Sequence, residues 1–372
     1  SLALAKACGN SLRRQKIIIE GIVQGVGFRP FVYQLAERFG LAGSVRNDTR
    51  GVTIEVEGAA TALDQFVAAI RVEKPPLAAI QSVTMQTVPA QGESGFRILQ
   101  SALDKSRRAQ IPPDTFVCPD CLRELFDPAD RRYRYPFINC TNCGPRYTIV
   151  TGIPYDRPMT TMADFSLCNE CQAEYDEPAS RRFHAQPNAC SACGPHLQLL
   201  DASSKLLALD DPVSEAIRRL KSGQIVAVKG LGGYHLAVDA GNQGAVLELR
   251  YRKQRDEKPF ALMVRDLDAA RRIAVAGDDE ASLLQGVERP IVLLPKRAGH
   301  NLAESIAPDN RYFGIMLPYT PLHHLLLQDD FEALVMTSAN LSEEPIVFQD
   351  DEALRSLSGI ADVFLLHNRR IH

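Results

Sequence analysis

The stretch "KIIIEGIVQGVGFRP", residues 16–30, decides how the first part of the chain folds. Its first half is mostly apolar, as in a strand, and three glycines then interrupt the apolar pattern before Arg29. The residues that follow, "PFVYQLAERFG", predict a helix with Pro30 in its first turn and Gly40 just beyond its end. A strand that leads through a glycine-rich loop into a helix brings several backbone N–H groups together, and such groups can bind an anion.

The segments around this stretch complete one domain, at about residues 16–100. "AGSVRNDTRGVTIEVEG" predicts two strands joined by a tight turn from Asn47 to Gly51. "TALDQFVAAIRVE" predicts a second helix with Thr61 as its cap, and "AIQSVTMQTVP" and "SGFRILQ" predict closing strands. The order βαββαβ is that of a ferredoxin-like α+β fold.

The loop before the first helix has two interpretations. It can be a tight glycine turn followed by a surface arginine, which is the common case for glycine-rich loops. It can also be a phosphate-binding loop, in which Arg29 adds a bidentate charge to backbone N–H groups. The residues of that loop are Gln24, Gly25, Val26, Gly27 and Phe28.

Composition limits the classes of function. Lysine and arginine total 42 against 45 acidic residues, a formal charge of −3, so no overall positive charge favours nucleic acid as a partner. No run approaches the roughly 18 apolar residues of a membrane span. The first residues show no secretion signal, so we expect a cytoplasmic protein without a membrane partner.

Eight of the nine cysteines form an internal repeat between residues 101 and 203, and Cys8 stands alone. Each repeat has the spacing Cys-x2-Cys-x18-Cys-x2-Cys, which predicts two structural zinc ions rather than disulfides or a redox pair. Sharing of ligands between the repeats stays open. The eight cysteines are Cys118, Cys121, Cys140, Cys143, Cys168, Cys171, Cys190 and Cys193.

The same region interleaves basic and aromatic residues, in "RRYRYPF" and "RRFH". Such stretches can bind single-stranded nucleic acid. A solvated face of a small metal-binding domain is an equally good interpretation, so the pattern decides nothing alone.

Residues 204–372 predict an α/β domain. Asp211 caps a helix that ends at Gly223, and "QIVAVK" then predicts a buried strand. A basic run, "LRYRKQRDEK", ends directly in the apolar "PFALM" and is expected to line a cleft at a strand edge. No Walker A motif is present, which argues against a P-loop ATPase.

Both outer regions resemble known families. "GIVQGVGFR" with "GSVRNDTRGVTIEVEG" resembles the two signatures of the acylphosphatases, although Ser44 stands where that family usually has an aromatic residue. The resemblance implies that Arg29 binds phosphate and Asn47 orients the attacking water.

"KGLGGYHLAVDA", the K-x-R-x-x-K-P run and "TSANLS" together resemble a YrdC-type domain, a twisted α/β sheet that makes acyl adenylates from ATP. The resemblance implies that the basic run holds phosphates and that Lys229 lies at the cavity mouth. His323 and His324 are adjacent, and we interpret them as core or surface residues rather than metal ligands. The nucleotide-binding residues are expected to be Lys229, Lys253, Arg255, Lys258, Ser338 and Asn340.

The order of the three regions resembles the HypF family of carbamoyltransferases, which act in [NiFe]-hydrogenase maturation. The resemblance implies hydrolysis of carbamoyl phosphate, formation of carbamoyl adenylate from ATP with Mg2+, and transfer of the carbamoyl group to the C-terminal cysteine of HypE. Family members continue into a transfer domain, which we expect this chain to lack. Two alternatives are a zinc-dependent RNA-binding module and a threonylcarbamoyl-adenylate synthase of tRNA modification.

Overall fold

The computed structural model describes residues 12–101, 109–328, 331–340 and 345–372. Cys8, the last two residues of the "TSANLS" turn (341 and 342) and the two residues after it therefore lie outside the described residues. The chain divides into two compact units, Ser1–Pro113 with Asn139–Asn188, and Asp114–Ile138 with Ala189–His372. The three regions predicted from the sequence, 16–100, 101–203 and 204–372, stay a prediction.

The first unit contains a five-stranded sheet with the order β4-β1-β3-β2-β5. Strands β2 and β5 are parallel, and the other neighbours are antiparallel. This confirms the predicted ferredoxin-like arrangement. The elements are β1 (Leu12–Ile22), α1 (Phe28–Arg38), β2 (Ala42–Asn47), β3 (Gly51–Ala59), α2 (Ala60–Val72), β4 (Ala79–Val88) and β5 (Phe96–Ile98).

The side chains of β1 alternate between the two faces of the sheet, so one face is buried against the helices. Ile17 and Ile19 point to one face of the sheet and are fully buried in a core with Val32 of α1 and Phe66 of α2. The cap predicted at Thr61 is wrong, because α2 begins one residue earlier and its N-terminus has no side-chain cap. The apolar face of α2 therefore determines its position more than local capping does.

The predicted internal repeat is visible in the structure. Helices α3 (Pro119–Phe126) and α4 (Asn169–Asp176) each begin directly after a cysteine. Arg134 and His184, fifty positions apart, both have a positive φ, 55° and 52°. Non-glycine residues rarely adopt this conformation, so its recurrence indicates that the two repeats share one backbone shape.

Two arginines of the basic stretches are buried, so these two side chains belong neither to a solvated face nor to a nucleic-acid-binding surface. Arg132 is 1% exposed and donates from Nε to the carbonyl oxygen of Ala189, at 2.9 Å. Its counterpart fifty positions later, Arg182, donates in the same way to the carbonyl oxygen of Asn139, at 3.1 Å. Each repeat thus supplies the partner of the other's arginine, and neither guanidinium is presented to a nucleic acid.

The second unit contains a nine-stranded sheet with the order β11-β12-β10-β13-β9-β8-β14-β6-β7. Its strands are β6 (Leu197–Asp201), β7 (Leu206–Leu207), β8 (Val226–Lys229), β9 (Tyr234–Asp239), β10 (Ala261–Met263), β11 (Val292–Pro295), β12 (Tyr312–Met316), β13 (Leu334–Ser338) and β14 (Val363–His367). Its further helices are α5 (Pro212–Lys221), α6 (Gln243–Lys253), α7 (Leu267–Ile273), α8 (Asp278–Gln285), α9 (Pro321–Leu326) and α10 (Asp350–Ser356).

Local sequence signals in this unit are confirmed. The Asp211 carboxylate accepts the N–H groups of Val213 and Ser214 at the start of α5, and Gly223 adopts a φ of 83° after the helix ends. All four residues of β8 are buried, as a strand between two others requires. Across the described residues, none of the helices has the length and apolar character needed to cross a membrane.

Candidate active sites

The glycine-rich loop joins β1 to α1. Gly25 and Gly27 have φ values of 70° and 73°, the left-handed region that favours glycine. A Cβ atom on Gly25 would lie 3.2 Å from the ring of Tyr155, and one on Gly27 would lie 3.3 Å from the Thr141 side chain. Backbone conformation and close packing therefore both favour glycine at these positions.

Arg29 lies in the first turn of α1, with only 8% of its side chain exposed. Its Nη2 atom donates a hydrogen bond to Oδ1 of Asp156 at 2.7 Å, and its Nη1 atom lies 3.5 Å from the Ser101 hydroxyl. The Arg29 guanidinium, which the sequence analysis predicts to bind phosphate, is therefore already paired with a carboxylate. The sequence analysis did not predict Asp156.

Asn47 occupies the end of β2 and is 1% exposed. Its Nδ2 atom lies 3.4 Å from the carbonyl oxygen of Tyr155, whereas its Oδ1 atom has no hydrogen-bond partner among the described residues. A buried amide oxygen without a partner is destabilising unless a ligand or water meets it. Asn47 and Arg29 both line a cavity of ≈ 20 Å³, which is room for about one water molecule.

In the loop, a side chain stabilises the conformation, and main-chain groups remain available to bind an anion. The Gln24 side chain donates to the carbonyl oxygens of Asp48 and Gly51, both at 2.7 Å, and accepts the N–H group of Tyr155 at 2.8 Å. It therefore holds the loop in place. The side chains of Val26 and Phe28 are buried in the apolar core, so only the main chain of these residues can contribute to binding an anion.

Arg146 connects this loop to a cysteine knuckle. Its Nε atom donates to the carbonyl oxygen of Gly25. Its Nη atoms donate to main-chain oxygens of the segment Cys140–Pro145, including those of Thr141 and Cys143, both at 2.9 Å. The conformation of the glycine loop is thus tied to the backbone of the knuckle, a connection that the sequence analysis did not predict.

A larger cavity of ≈ 520 Å³ is also lined by Arg29, together with Asp156, Tyr175 and His184. Burial, with the Arg29 guanidinium as a second cause, lowers the pKa of His184 to about 4. Its imidazole is therefore neutral near pH 7. Arg29 and His184 line both cavities, so these side chains form part of the wall between them.

The eight predicted cysteines form two groups, each of which can hold a metal ion. Cys118, Cys121, Cys140 and Cys143 form one group, and Cys168, Cys171, Cys190 and Cys193 form the other. Within each group the sulfur atoms lie within 4.8 Å of one another, and among the described residues each group consists of the cysteines of one repeat.

The spacing of the sulfur atoms fits a four-coordinate ion. Cys140 and Cys143 have Sγ atoms 3.8 Å apart, and so do Cys190 and Cys193. A tetrahedron of thiolates about 2.3 Å from a zinc ion has edges of about 3.8 Å. The distance is far longer than the roughly 2.05 Å of a disulfide bond.

Four of the predicted nucleotide-binding residues lie together in the second unit. The Lys253 Nζ atom donates to the carbonyl oxygen of Ser338 at 3.0 Å and to the side-chain oxygen of Asn340 at 3.2 Å. The Arg255 Nη1 atom lies 3.4 Å from the Thr337 hydroxyl. The basic run at the end of α6 thus meets the end of β13. The cleft expected there stays a prediction.

The other two predicted nucleotide-binding residues are Lys229 and Lys258. Lys229, which was expected at the mouth of a cavity, is only 2% exposed and donates to Oδ1 of Asp350 at 2.6 Å and to the His367 carbonyl oxygen at 2.9 Å. Lys258 is exposed, and its ammonium group makes no hydrogen bond or ion pair with the described residues. His323 is fully buried, in agreement with its interpretation as a core residue.

Family models match three parts of the chain. The acylphosphatase model matches residues 15–98, and the HypF finger model matches residues 117–150 and 167–200. The Sua5/YciO/YrdC model, described as telomere recombination, matches residues 218–372. The chain is therefore a multidomain protein with an acylphosphatase domain, two four-cysteine fingers and a Sua5/YrdC-like domain.

Individual relatives indicate a more specific family within this class of multidomain proteins. The chain is 54% identical to carbamoyltransferase HypF2 of Cupriavidus necator, over 96% of this chain and 46% of the relative. It superposes on the crystal structure of a full-length HypF in the phosphate- and nucleotide-bound form with a TM-score of 0.94, at 47% identity, over 98% of this chain and 48% of that one. Its first part is 35% identical to the acylphosphatase of Ligilactobacillus salivarius, over 23% of this chain and 98% of that enzyme.

The chain belongs to the HypF carbamoyltransferase family. It spans about half the length of the HypF relatives that it matches.

Proposed function

We propose that this chain carries out two linked steps of carbamoyl transfer. The first is hydrolysis of carbamoyl phosphate to carbamate and inorganic phosphate. The second is reaction of carbamate with ATP to give carbamoyl adenylate and pyrophosphate. Membership of the HypF family supports the assignment, and so do the two side-chain clusters at the glycine loop and at the end of β13.

In the first step, the loop N–H groups of residues 24–28 and the Arg29 guanidinium hold the phosphoryl group. The Asn47 Oδ1 atom accepts a hydrogen bond from the attacking water, whose oxygen bonds to phosphorus as the carbamate oxygen leaves. The observation that carries this assignment is the unpartnered Asn47 oxygen on a water-sized cavity beside Arg29. Acyl phosphates are already activated, so positioning and charge stabilisation suffice without a strong base.

In the second step, a carbamate oxygen attacks the α-phosphorus of ATP and pyrophosphate leaves. Lys253, Arg255 and Lys258 supply positive charge where negative charge develops, together with Mg2+ bound to the nucleotide. Ser338 and Asn340 hold the nucleotide on the other side of the cluster. Lys229 contributes from within the domain through its contacts with Asp350 and His367.

The metal groups are proposed to hold two structural zinc ions. A set of four thiolates leaves no open coordination position for catalysis. We assign the protein to a reducing compartment such as the cytoplasm, because paired cysteine knuckles of this kind hold metals there rather than forming disulfides.

The carbamoyl group is proposed to pass to the C-terminal cysteine of HypE, for synthesis of the cyanide ligand in [NiFe]-hydrogenase maturation. We assign this transfer step to the portion of the HypF relatives that lies outside the matched half. Because the Sua5/YrdC-like part supports the alternative of a threonylcarbamoyl-adenylate synthase, the identity of the adenylate needs a direct test.

The experiment that tests the first step is phosphate release from carbamoyl phosphate, corrected for spontaneous decomposition. The unmodified chain should release phosphate, and Arg29→Ala should not, because the loop alone cannot neutralise a dianion. Arg38→Ala is the matched control, since Arg38 lies on the same helix but is exposed and pairs with Glu73. Equal turnover by all three proteins would contradict the assignment.

A further inference from the structure

Recognition of the phosphoryl group cannot distinguish one acyl phosphate from another. Carbamoyl phosphate and acetyl phosphate carry the same phosphoryl group and differ in an amino group against a methyl group of similar size. A site separates such a pair when it holds a hydrogen-bond acceptor that only the amino group can satisfy. If the proposed function holds, that acceptor has to lie close to the phosphate-binding Arg29.

Asp156 has the required position and chemistry. Its Oδ1 atom accepts the hydrogen bond from Arg29 Nη2 at 2.7 Å, and its Oδ2 atom accepts no hydrogen bond from the described residues. The side chain is 24% exposed and forms part of the wall of the ≈ 520 Å³ cavity. A group bound next to the anion on Arg29 therefore lies within reach of a carboxylate oxygen.

Two neighbouring amide oxygens are already engaged or assigned. Among the described residues that line the two cavities, Asp156 is the single carboxylate. The Gln186 Oε1 atom already accepts the Tyr175 hydroxyl at 2.9 Å and the Arg157 N–H at 2.8 Å. Asn47 lines the smaller cavity, where its oxygen is assigned to the attacking water. Asp156 is thus the charged acceptor that lies next to Arg29 and lines the larger cavity, where it can meet the acyl end of the substrate.

We propose that Asp156 is a specificity-determining residue that accepts a hydrogen bond from the carbamoyl amino group and so selects carbamoyl phosphate over alkyl acyl phosphates. This inference rests on the proposed hydrolysis at Arg29 and Asn47. One carboxylate then has two roles, because Oδ1 fixes the guanidinium while Oδ2 recognises the amino group. The same negative charge disfavours substrates whose acyl group is itself anionic.

A purely positioning role for Asp156 makes a different prediction. If the carboxylate only orients Arg29, its removal impairs every acyl phosphate to the same extent. The ratio of kcat/KM for carbamoyl phosphate to kcat/KM for acetyl phosphate separates the two roles, because damage to phosphate binding cancels in it. Partial unfolding of a variant cancels in the same way.

The experiment measures this ratio for the whole 372-residue chain and for Asp156→Ala and Asp156→Asn. We expect the ratio to fall by about 10- to 100-fold in Asp156→Ala, the usual effect of losing a hydrogen bond to a charged group. Asp156→Asn keeps a neutral acceptor and should give an intermediate ratio. Asp176→Asn is the matched control, since Asp176 is exposed and does not line either cavity, and its ratio should equal that of the unmodified chain.

Two results would overturn the inference while leaving the proposed function intact. One is an unmodified chain that hydrolyses both substrates with equal kcat/KM, and the other is an unchanged ratio in Asp156→Ala. A chain that hydrolyses neither substrate would instead refute the proposed function itself. The two failures are therefore distinguishable in one set of assays.

Discussion

The Nζ atom of Lys253 lies 3.0 Å from the carbonyl oxygen of Ser338. This contact joins the end of α6 to the end of β13, two elements separated by 85 positions in the sequence. It brings the basic run and the "TSANLS" segment into one cluster, as the resemblance to YrdC-type domains implied.

Nucleotide affinity should depend on Lys258 although it supports no local structure. Lys258→Ala removes an exposed charge without breaking a side-chain contact among the described residues. We therefore expect weaker ATP binding by calorimetry and an unchanged melting temperature. Lys258→Arg should restore affinity only in part, because it keeps the charge but changes the shape of the donor. Equal ATP affinities in wild type and Lys258→Ala would refute a phosphate-binding role.

ATP binding should weaken as the pH rises above neutrality. Burial, with the neighbouring Arg255 and Lys258 charges as further causes, lowers the pKa of Lys253 to about 8. Its ammonium is charged below that pH and loses its charge as the pH rises through it, so affinity should fall between about pH 7 and 9. Lys253→Arg should flatten this profile, since arginine stays charged. An identical pH profile in the variant would show that another group is responsible.

Asn47→Ala should separate turnover from binding at the first site. Its proposed role is to orient water, so we expect kcat for carbamoyl phosphate to fall by about 100-fold. The inhibition constant of inorganic phosphate should change little, because Arg29 and the loop N–H groups remain. A collapse of phosphate affinity, in a variant with unchanged circular dichroism, would assign Asn47 to phosphate binding instead.

Each of the two cysteine groups should hold one zinc ion independently of the other group. Elemental analysis of the purified chain should give about two zinc ions per molecule. Cys118→Ser and Cys168→Ser each disrupt one group of the described residues, so each variant should retain about one ion, and the double variant should retain about none. Loss of both ions from either single variant would indicate that the two groups are not independent.

The sequence predicted those parts of the molecule whose signal is local. The strand, glycine loop and helix around residues 16–40 form as expected, since alternation and glycine placement act over a few residues. The cysteine spacing likewise predicted the two metal groups, because each knuckle is built from residues three positions apart. The Thr61 cap failed, since the packing of α2 against the sheet overrides a weak capping preference.

Contacts between distant segments could not be predicted in this way. Asp156 reaches Arg29 across 127 positions, and Arg146 reaches Gly25 across 121. A single aspartate or arginine in a loop carries no pattern that indicates its partner. Lys229 is similar, because its burial depends on Asp350 and the strand that ends at His367. Site residues that come from segments distant in the sequence can therefore be identified only from the three-dimensional structure.

The most direct test of the account is the identity of the adenylate that the chain makes. The purified protein is incubated with ATP, Mg2+ and carbamoyl phosphate. The products are then separated, and their molecular masses are measured by mass spectrometry. A parallel reaction replaces carbamoyl phosphate with bicarbonate and threonine. We expect carbamoyl adenylate in the first reaction and no threonylcarbamoyl adenylate in the second. The carbamoyl adenylate should be absent when Arg29→Ala replaces the wild type. Threonylcarbamoyl adenylate as the main product, or the absence of any adenylate while phosphate is still released, would contradict it.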